Sequence, residues 1–481
     1  MTTLGQKIRH VFMYVAAAGA AVTGTAVHAQ DNPVNAEANA DTPDRNSDGT
    51  YVHNGIVFRP GTGSTTPQQT PDATPTTGTQ TPVTQAPVQT NLPTTSQTAY
   101  TQTGTFRYPT APTRVGDYER DLPLQRCPVR LNDRYSNATD VLRYMAQPSL
   151  TPNIVSPDMS ERQITLAQQH LQKLGFDISD DGEQGPATTR AVMEFQMFWG
   201  PITNTMDING VIDENTFRHM EYYARMAERD ARTYDIPLDA VGSIRLTQLR
   251  TGESFEFLSD LFRQESTFRV GVRARTSSAT GLGQHIDRTW LKNVYYAGCK
   301  YGLDDYADQI RIRRSGSDAA DIEFSGNSRQ DRFLMNLRRN PRFSALMSAE
   351  NSQYEVGLIQ HWTGMTLDQD WQKYSVHFFG VEAAYFFYDR YQSSPNASAA
   401  ARLPRQARAN RAIFYSGGRA RSYQEVGTWF QGKFGTGRYR ERYQVAAYRP
   451  PSDVRVGYAG QTRDENVTPT TQQSNTPPPG T

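Results

Sequence analysis

The sequence predicts a mainly α-helical protein, and three observations favour this fold class. Apolar residues recur every three or four positions over long stretches between residues 160 and 448. Clusters of Gly, Ser and Asn separate these stretches, as is typical of loops between helices. Strict apolar–polar alternation, which would indicate strands, is scarce. We therefore expect α-rich domains, flanked by polar segments that are disordered.

Length and charge narrow the possible functions. The chain has 481 residues, enough for at least two domains. Its formal net charge is +1, so no global electrostatic attraction to nucleic acid or to membrane surfaces is expected. We predict no nucleic-acid partner.

Residues 1–29 have the pattern of a secretory signal peptide. Lys7 and Arg9 precede a short apolar run, and residues 27–29 place small side chains at a cleavage site. The run is short and rich in Ala and Gly for a membrane span, although a retained anchor is the alternative interpretation. We expect an exported protein of the periplasm or cell envelope, without a membrane span in its mature form.

Two segments are predicted to be disordered, a spacer over residues 30–115 and a tail over residues 453–481. Both are rich in Thr, Pro, Gln and Asn, so they bury too little apolar surface to offset the entropy lost on ordering. Within the spacer, Asn54-Gly55 lies between two short β-prone runs and predicts one small hairpin.

The segment 116–158 is an unassigned linker, in which the apolar pattern over residues 141–145 indicates one short helix. It contains Cys127, and Cys299 is the other cysteine of the chain. In an oxidising compartment the two cysteines can pair, but they belong to different predicted segments. The sequence leaves open whether they form a disulfide or remain separate thiols.

Residues 159–228 are predicted to form a compact three-helix unit. Apolar residues over 164–174 follow helical spacing, and Gly175 is placed to end this first helix. Pro186 suits the first turn of a second helix, which we expect Gly200-Pro201 to stop. A turn and a short third helix complete the unit.

The same unit carries a longer pattern of core and turn residues. Its members are Leu171, Leu174-Gly175, Asp181-Gly182, Gly185-Pro186-x-Thr188, Ala191-Val192, Phe195-Gln196, Gly210-Val211-x-Asp213 and Thr216. This pattern resembles a peptidoglycan-binding module of bacterial cell-wall proteins. The resemblance implies that peptidoglycan glycan strands are a partner. The insertion Pro201–Asp207 is longer than is usual for that family.

Residues 234–448 are predicted to form a second, larger helical domain. Helical patterns cover 253–265, 287–297, 329–338, 343–361, 379–392 and 403–415. The polar segment 304–328 is expected to be rich in loops.

One carboxyl group marks a candidate catalytic position in this larger domain. Glu265 continues the apolar stripe of Phe255, Leu258 and Phe262 and lies where the predicted helix meets a Ser/Gly-rich loop. Partial burial and the negative end of the helix dipole both favour the protonated carboxyl. Glu265 is therefore a candidate proton donor near neutral pH, as cleavage of a glycosidic bond requires. A solvated charge is the alternative interpretation.

Several residue types recur at fixed spacing around this acid. They are Glu265-Ser266-x-Phe268, Thr276-Ser277-Ser278-Ala279-x-Gly281-Leu282-x-Gln284 and Thr289-Trp290. The pattern resembles the catalytic core of the soluble lytic transglycosylases, lysozyme-like enzymes that cut peptidoglycan, and extends weakly to about residue 440. The resemblance implies a lysozyme-like fold over residues 234–448. It also implies cleavage of the MurNAc-β-1,4-GlcNAc bond with formation of 1,6-anhydro-MurNAc, with one carboxyl acting as acid and then as base.

The resemblance suggests substrate-binding roles for four loop residues. Ser277 and Ser278 offer hydroxyls that orient the substrate N-acetyl group or the catalytic carboxyl, with loop and N-cap chemistry as the alternative. Gly281 would let the backbone approach the sugar closely. Gln284 matches a glutamine whose amide faces the cleft in that family. The alternative interpretation is that Gln284 is an ordinary residue at the start of a helix.

The segment Tyr374-x-x-His377-Phe-x-Gly departs from the family pattern. Many soluble transglycosylases carry Ala-Tyr-Asn-Ala-Gly here, with the tyrosine near the catalytic acid. The sequence leaves open whether Tyr374 or His377 takes the place of that tyrosine. A core histidine packed among aromatic rings is the alternative for His377.

Two other functions remain open. A hydrolytic muramidase would need a second carboxylate about 5–10 Å from the first, and Asp287, Asp304, Asp305 and Asp370 are the candidates. A wall-binding protein without activity is the other alternative. Metal-ligand and phosphate-binding motifs are missing from the sequence, so no cofactor and no metal are predicted. Any partner in an envelope assembly is undetermined.

Overall fold

The computed structural model describes residues 51–53, 56–58, 109–113, 129–315 and 318–451. Within these ranges the chain forms sixteen α-helices and three two-stranded hairpins. The prediction of a mainly α-helical protein is confirmed. The signal peptide predicted at 1–29 and the tail predicted at 453–481 lie outside the described residues.

The chain divides into two units by its internal contacts, and the first hairpin belongs to the smaller one. Strands β1 (Tyr51–His53) and β2 (Ile56–Phe58) pair antiparallel, with Val52 opposite Val57. This pairing confirms the predicted hairpin, although its turn at residues 54 and 55 lies outside the described residues. All described residues from 109 onward belong to the other unit.

The helices of the larger unit begin with α1 (Ala138–Ala146), α2 (Glu161–Lys173), α3 (Pro186–Thr203) and α4 (Glu214–Tyr234). Ser160 and Gln163 form a capping box that starts α2. Pro186 occupies the first position of α3, where its missing N–H costs nothing. At the start of α4, the Asp213 carboxylate accepts a 2.7 Å hydrogen bond from the Thr216 amide.

Two predicted helix ends in this region are wrong. Helix α3 continues through Gly200 and Pro201, and it ends before Asn204 in the left-handed conformation. A proline inside a helix removes a backbone hydrogen bond. Here the Arg250 guanidinium donates to two carbonyl oxygens of the preceding turn, those of Met197 at 3.5 Å and Phe198 at 2.7 Å. The third helix is long rather than short, because the buried face of α4 continues to Tyr234.

The remaining elements in chain order are α5 (Leu238–Thr251), α6 (Phe255–Ser266), α7 (Asp287–Ala297), α8 (Asp304–Ala307), β3 (Ile310–Ser315), β4 (Asp318–Phe324), α9 (Ser328–Asn336), α10 (Pro341–Thr363), α11 (Asp370–Phe379), α12 (Val381–Ser393), α13 (Ala399–Arg402), α14 (Pro404–Ala409), α15 (Arg411–Phe414), β5 (Tyr415–Ser416), β6 (Arg419–Ala420) and α16 (Tyr423–Gln431). Helix α10 is central, since α5, α7, α11 and α12 all pack against it. Its burial on several sides gives it no single apolar stripe.

The expectation of loops over residues 304–328 is wrong, because β3 and β4 form a hairpin there. Ile312 faces Ile322 across the ladder, and these two side chains pack against the core. Charged residues alternate with them, so that Arg311 faces Glu323 on the other side. Each strand buries only a few apolar residues, which makes the alternation weak in the sequence.

The sequence missed helices α5, α8, α11, α13 and α16. Helix α11 carries two of the candidate site residues, Tyr374 and His377. It is only ten residues long and begins without a Ser, Thr, Asp or Asn cap, so its local signal is weak.

Helix α3 is joined to the rest of the larger unit by a buried ion pair. The Arg342 guanidinium at the start of α10 lies 2.8 Å from the Glu194 carboxylate of α3. The same guanidinium lies 3.9 Å from the centre of the Phe176 ring. Residues 160–220 therefore share a hydrophobic core with the helices that follow and do not form a separate domain joined only by a linker.

Cys299 is disulfide-bonded. The sequence contains one other cysteine, Cys127, which lies outside the described residues. Among the helices that the structure describes, none is long and apolar enough to cross a membrane.

Candidate functional site

Glu265 is the penultimate residue of α6, and the backbone that follows it is strained. Thr267 has a φ of 52° and Phe268 a φ of 61°, although both side chains carry a Cβ atom. Each such residue costs roughly 1–2 kcal/mol. Two hydrogen bonds hold the turn, from the Thr267 amide to the Arg263 carbonyl and from the Phe268 amide to the Phe262 carbonyl, both at 3.2 Å. Strain of this kind is frequent at functional sites, where the surrounding fold fixes one side chain in place.

The side chain of Glu265 meets His377, which α11 supplies. Its Oε1 atom lies 3.5 Å from Nε2 of His377, and the two side chains are 16% and 28% exposed. Burial lowers the pKa of His377, but the hydrogen bond and the charge of Glu265, with the charge of Glu355, raise it above its usual value. His377 therefore carries a positive charge more readily than an isolated histidine.

Tyr374 lies one turn before His377 on α11 and is buried. Its ring stacks on Phe434 with 3.5 Å between ring centres. Burial, together with the charge of Glu265, raises the pKa of Tyr374 well above its usual value. The phenol stays protonated at any working pH. The structure thus brings both residues that the sequence left open, Tyr374 and His377, to the neighbourhood of Glu265.

A second carboxylate, Glu355 of α10, lies close enough to His377 for its charge to raise the histidine pKa. Its oxygen accepts a 2.9 Å hydrogen bond from the Lys292 ammonium of α7, and both side chains are largely buried. The sequence analysis missed this pair. The signal that could have identified Glu355 in the sequence is a glutamate within a strongly apolar helical segment.

The two loop serines are engaged within the loop itself. The Ser277 hydroxyl accepts a 3.1 Å hydrogen bond from the Ala279 amide. The Ser278 hydroxyl accepts a 3.1 Å hydrogen bond from the Asp287 amide and so satisfies the start of α7. These contacts correspond to the loop and cap chemistry that stood as the alternative.

Gly281 and Gln284 also stabilise the loop. Gly281 has a φ of +83°, and a Cβ atom there would overlap the Arg338 carbonyl oxygen. The close approach of the Arg338 carbonyl is therefore sufficient to explain why this position needs a glycine, and no contact with a sugar is required. The Gln284 side-chain amide donates to the Gly281 carbonyl at 2.8 Å and to the Val272 carbonyl at 3.3 Å.

Two residues that the sequence analysis did not identify, Arg338 and His285, stabilise this loop. The Arg338 guanidinium donates to the carbonyls of Ser278 at 2.8 Å and His285 at 3.0 Å, and to the Asp287 carboxylate at 2.6 Å. His285 is buried, and burial lowers its pKa to about 4. It is therefore neutral, with Nε2 lying 3.1 Å from the Ser344 carbonyl.

The aspartates proposed as a second carboxylate differ in their partners and their burial. Asp287 is bound to Arg338, and Asp304 lies 3.3 Å from Arg130. Burial raises the pKa of both Asp304 and Asp370 to about 6. Asp305 is exposed. Among the described residues, no hydrogen bond or ion pair joins any of these aspartates to Glu265.

The part of the chain that the structure describes contains no group of three or more His, Cys, Asp or Glu side chains that could hold a metal ion.

The helices α2 and α3 present two similar polar clusters. The Gln168 side chain accepts a 2.9 Å hydrogen bond from the Gly182 amide and donates to Asp181. Gln196 accepts a 2.9 Å bond from the amide of Gly210, again 14 residues onward, and donates to Asn209. Residues 160–220 are therefore built from two similar halves.

Residues 160–220 match the family model described as "Putative peptidoglycan binding domain". The match agrees with the predicted peptidoglycan-binding module and supports association with peptidoglycan and a location at the cell wall. The match ends before Glu265 and includes none of the residues around that carboxyl group.

Proposed function

We propose that the protein is a peptidoglycan lytic transglycosylase. It cleaves the MurNAc-β-1,4-GlcNAc bond and leaves 1,6-anhydro-MurNAc ends, with Glu265 as general acid and then general base in a lysozyme-like domain over residues 234–448. The observation that carries the proposal is the Glu265–His377 contact of 3.5 Å beside the protonated phenol of Tyr374. The peptidoglycan-binding module in the same compact unit supports the choice of substrate.

The first step needs a proton on Glu265. The charge of Glu265 favours the imidazolium form of His377. A glycan strand that covers the pair removes water, and loss of water disfavours separated charges. The proton then moves to Glu265, which donates it to the glycosidic oxygen as the C1–O bond breaks. The substrate N-acetyl group stabilises the sugar cation.

The second step uses the same carboxylate as a base. Glu265 takes the proton of the MurNAc 6-hydroxyl while that oxygen bonds to C1 and closes the anhydro ring. The carboxyl group of Glu265 is then protonated again, as it was just before it donated its proton to the glycosidic oxygen, and no water is consumed. Tyr374 remains a hydrogen-bond donor throughout, because its pKa is far above neutral. Ser277, Ser278, Gly281 and Gln284 shape the loop that borders the substrate.

The alternative is a hydrolytic muramidase on the same scaffold. Glu355 is the observation that favours it, since this carboxylate lies close enough to His377 for its charge to raise the histidine pKa. A carboxylate that activates water must be free to accept a proton. Glu355 is instead engaged in an ion pair with the Lys292 ammonium at 2.9 Å, which favours the transglycosylase.

Mass spectrometry of digested peptidoglycan tests the proposal. The wild-type protein should release products that end in 1,6-anhydro-MurNAc. Glu265→Gln should lower the rate by about 10²–10⁴-fold, the usual contribution of a general acid–base group. Glu256→Gln on the same helix is the matched control and should retain activity, because the amide oxygen can still accept the Gly437 amide hydrogen bond.

Three results would overturn the proposal. Reducing-end products carrying an added water would mean that water is the acceptor and that the muramidase is correct. Unchanged lytic activity in Glu265→Gln would mean that another residue is the acid. If neither protein releases products, the chain is a wall-binding protein without activity.

We also propose that residues 1–29 direct export to the periplasm or cell envelope. A cell-wall substrate requires such a location, and the Cys299 disulfide agrees with an oxidising compartment. N-terminal sequencing of the protein from the periplasmic fraction should begin near residue 30. Recovery of the intact N-terminus from the cytoplasm would contradict this prediction.

A further inference from the structure

An open groove of about 410 Å³ lies on the peptidoglycan-binding module, away from Glu265 in the sequence. Its lining residues are Val155, Ser156, Met159, Glu161, Ile164, Asp181, Gly182, Glu183 and Gln184. The groove runs between the start of α2 and the turn that precedes α3. A groove of this volume can hold a short peptide or one to two sugar rings.

The side chains that line the groove favour one of these two ligands over the other. Glu161, Asp181 and Glu183 are acidic, and none of the lining residues is basic or aromatic. Hydrogen bonds from Ser179, from Gln168 and from a backbone amide lower the pKa of Asp181 to about 2, so its charge persists at all working pH values. Sugar rings are commonly held by stacking on aromatic side chains. Carboxylates beside aliphatic groups suit a cationic amine next to small methyl groups.

The similar halves of the module differ in the side chains that surround their corresponding glycines. In the second half, the space above Gly210 is filled by Met193, Thr189 and Ile154, with Met193 and Thr189 atoms 3.1 Å from where a Cβ would lie. In the first half, a Cβ atom on the corresponding Gly182 would meet Glu161 at 2.7 Å and Thr165 at 2.9 Å, and Glu161 also lines the groove. An acidic side chain thus borders the first half, where the second half places apolar ones.

We propose that this groove binds the stem peptide of peptidoglycan rather than its glycan strand. The carboxylates of Glu161 and Glu183 contact the cationic amino group of the diamino acid in the stem. The aliphatic side chains of Met159 and Ile164 contact the alanine methyl groups. The inference rests on the proposed function in that both take peptidoglycan as the ligand, but it concerns binding and not cleavage. The module then selects wall regions whose stems carry a free amine.

Binding measurements on the full chain test this inference. Glu265→Gln serves as the background, so that the wall is not digested. Three ligands are compared: intact sacculi, sacculi whose stems an amidase has removed, and sacculi whose free amines are acetylated. We expect removal of stems and acetylation each to weaken binding. In the double variant Glu161→Gln/Glu183→Gln, binding to intact sacculi should weaken by about 3–10-fold, equivalent to about 0.7–1.4 kcal/mol.

The matched control is Asp177→Asn, an exposed carboxylate of the same turn that does not line the groove. It should leave binding to intact sacculi unchanged. Equal binding to stripped and intact sacculi would overturn the inference, as would equal losses in the control and the double variant. Failure of the proposed cleavage would appear separately, as missing anhydro products from the wild-type protein, and would leave these binding results unaffected.

Discussion

Replacing Gly281 by alanine tests why the loop after Glu265 needs a glycine. The φ of +83° is unfavourable for any residue with a Cβ atom, at roughly 1–2 kcal/mol. The new methyl group would also overlap the Arg338 carbonyl oxygen, which must withdraw by over an ångström to reach the 3.0 Å that real Cβ contacts respect. Overpacking of this kind costs typically about 1–3 kcal/mol. We expect a total loss of about 2–5 kcal/mol.

Gly364→Ala is a matched control that measures only the cost of placing a Cβ atom on a left-handed backbone. Gly364 has a φ of +69°, and no atom lies within 4 Å of its would-be Cβ. We therefore expect a loss of only about 1–2 kcal/mol in this variant. For a unit of this size, each kcal/mol lowers the thermal midpoint by about 1–2 °C. The overpacking term of about 1–3 kcal/mol should therefore separate the two variants by about 1–6 °C in a thermal denaturation experiment.

The comparison also separates a structural from a substrate-binding role. If Gly281 exists to let a sugar approach, Gly281→Ala should match Gly364→Ala in stability and differ only in peptidoglycan binding. That result would refute the packing argument from Arg338. A larger loss of stability in Gly281→Ala would support it.

Three further predictions concern buried charges. Arg342→Met leaves its carboxylate partner buried without a cation and should cost about 3–5 kcal/mol of unfolding free energy, whereas Arg218→Met breaks an exposed pair and should cost under about 1 kcal/mol. The pKa of His285 is about 4 in the folded protein, below its unfolded value of about 6.5. Its contribution to stability should therefore be lost as pH falls from about 6.5 to about 4, on the order of 3 kcal/mol in total. Denaturation at several pH values should show that His285→Gln flattens this dependence. Glu265→Gln should lower the pKa of His377 in an NMR titration, because the hydrogen bond and charge that raise it are removed while burial remains, and an unchanged pKa would contradict the pairing.

Local signals predicted much of the fold. Pro186 starts α3 and Gly175 follows the end of α2 where the sequence placed them, because such signals act within one turn. Helix α7 spans Asp287–Ala297 as expected. Local signals failed where distant residues compensated for them, as at Pro201, whose effect on α3 is offset by Arg250.

The site was predicted only in part. The position of Glu265 at the end of an apolar helix follows from periodicity along one element. The roles of Ser277 and Ser278 could not be decided, because the same hydroxyl can cap a helix or face a substrate, and spacing does not distinguish these functions. Glu355 went unnoticed, since its relation to the site depends on how α10 packs.

By itself, the sequence determined the helical class, the peptidoglycan-binding module and the candidate acid Glu265, because each depends on residues close together in the chain. The tertiary structure decided what faces that acid. His377 lies more than a hundred residues away and meets Glu265 only because α11 packs against α6. The tertiary structure also decided that the module shares a core with the following helices, through the buried pair of Glu194 and Arg342. Contacts between elements distant in sequence leave no periodic signal, so only the packed chain reveals them.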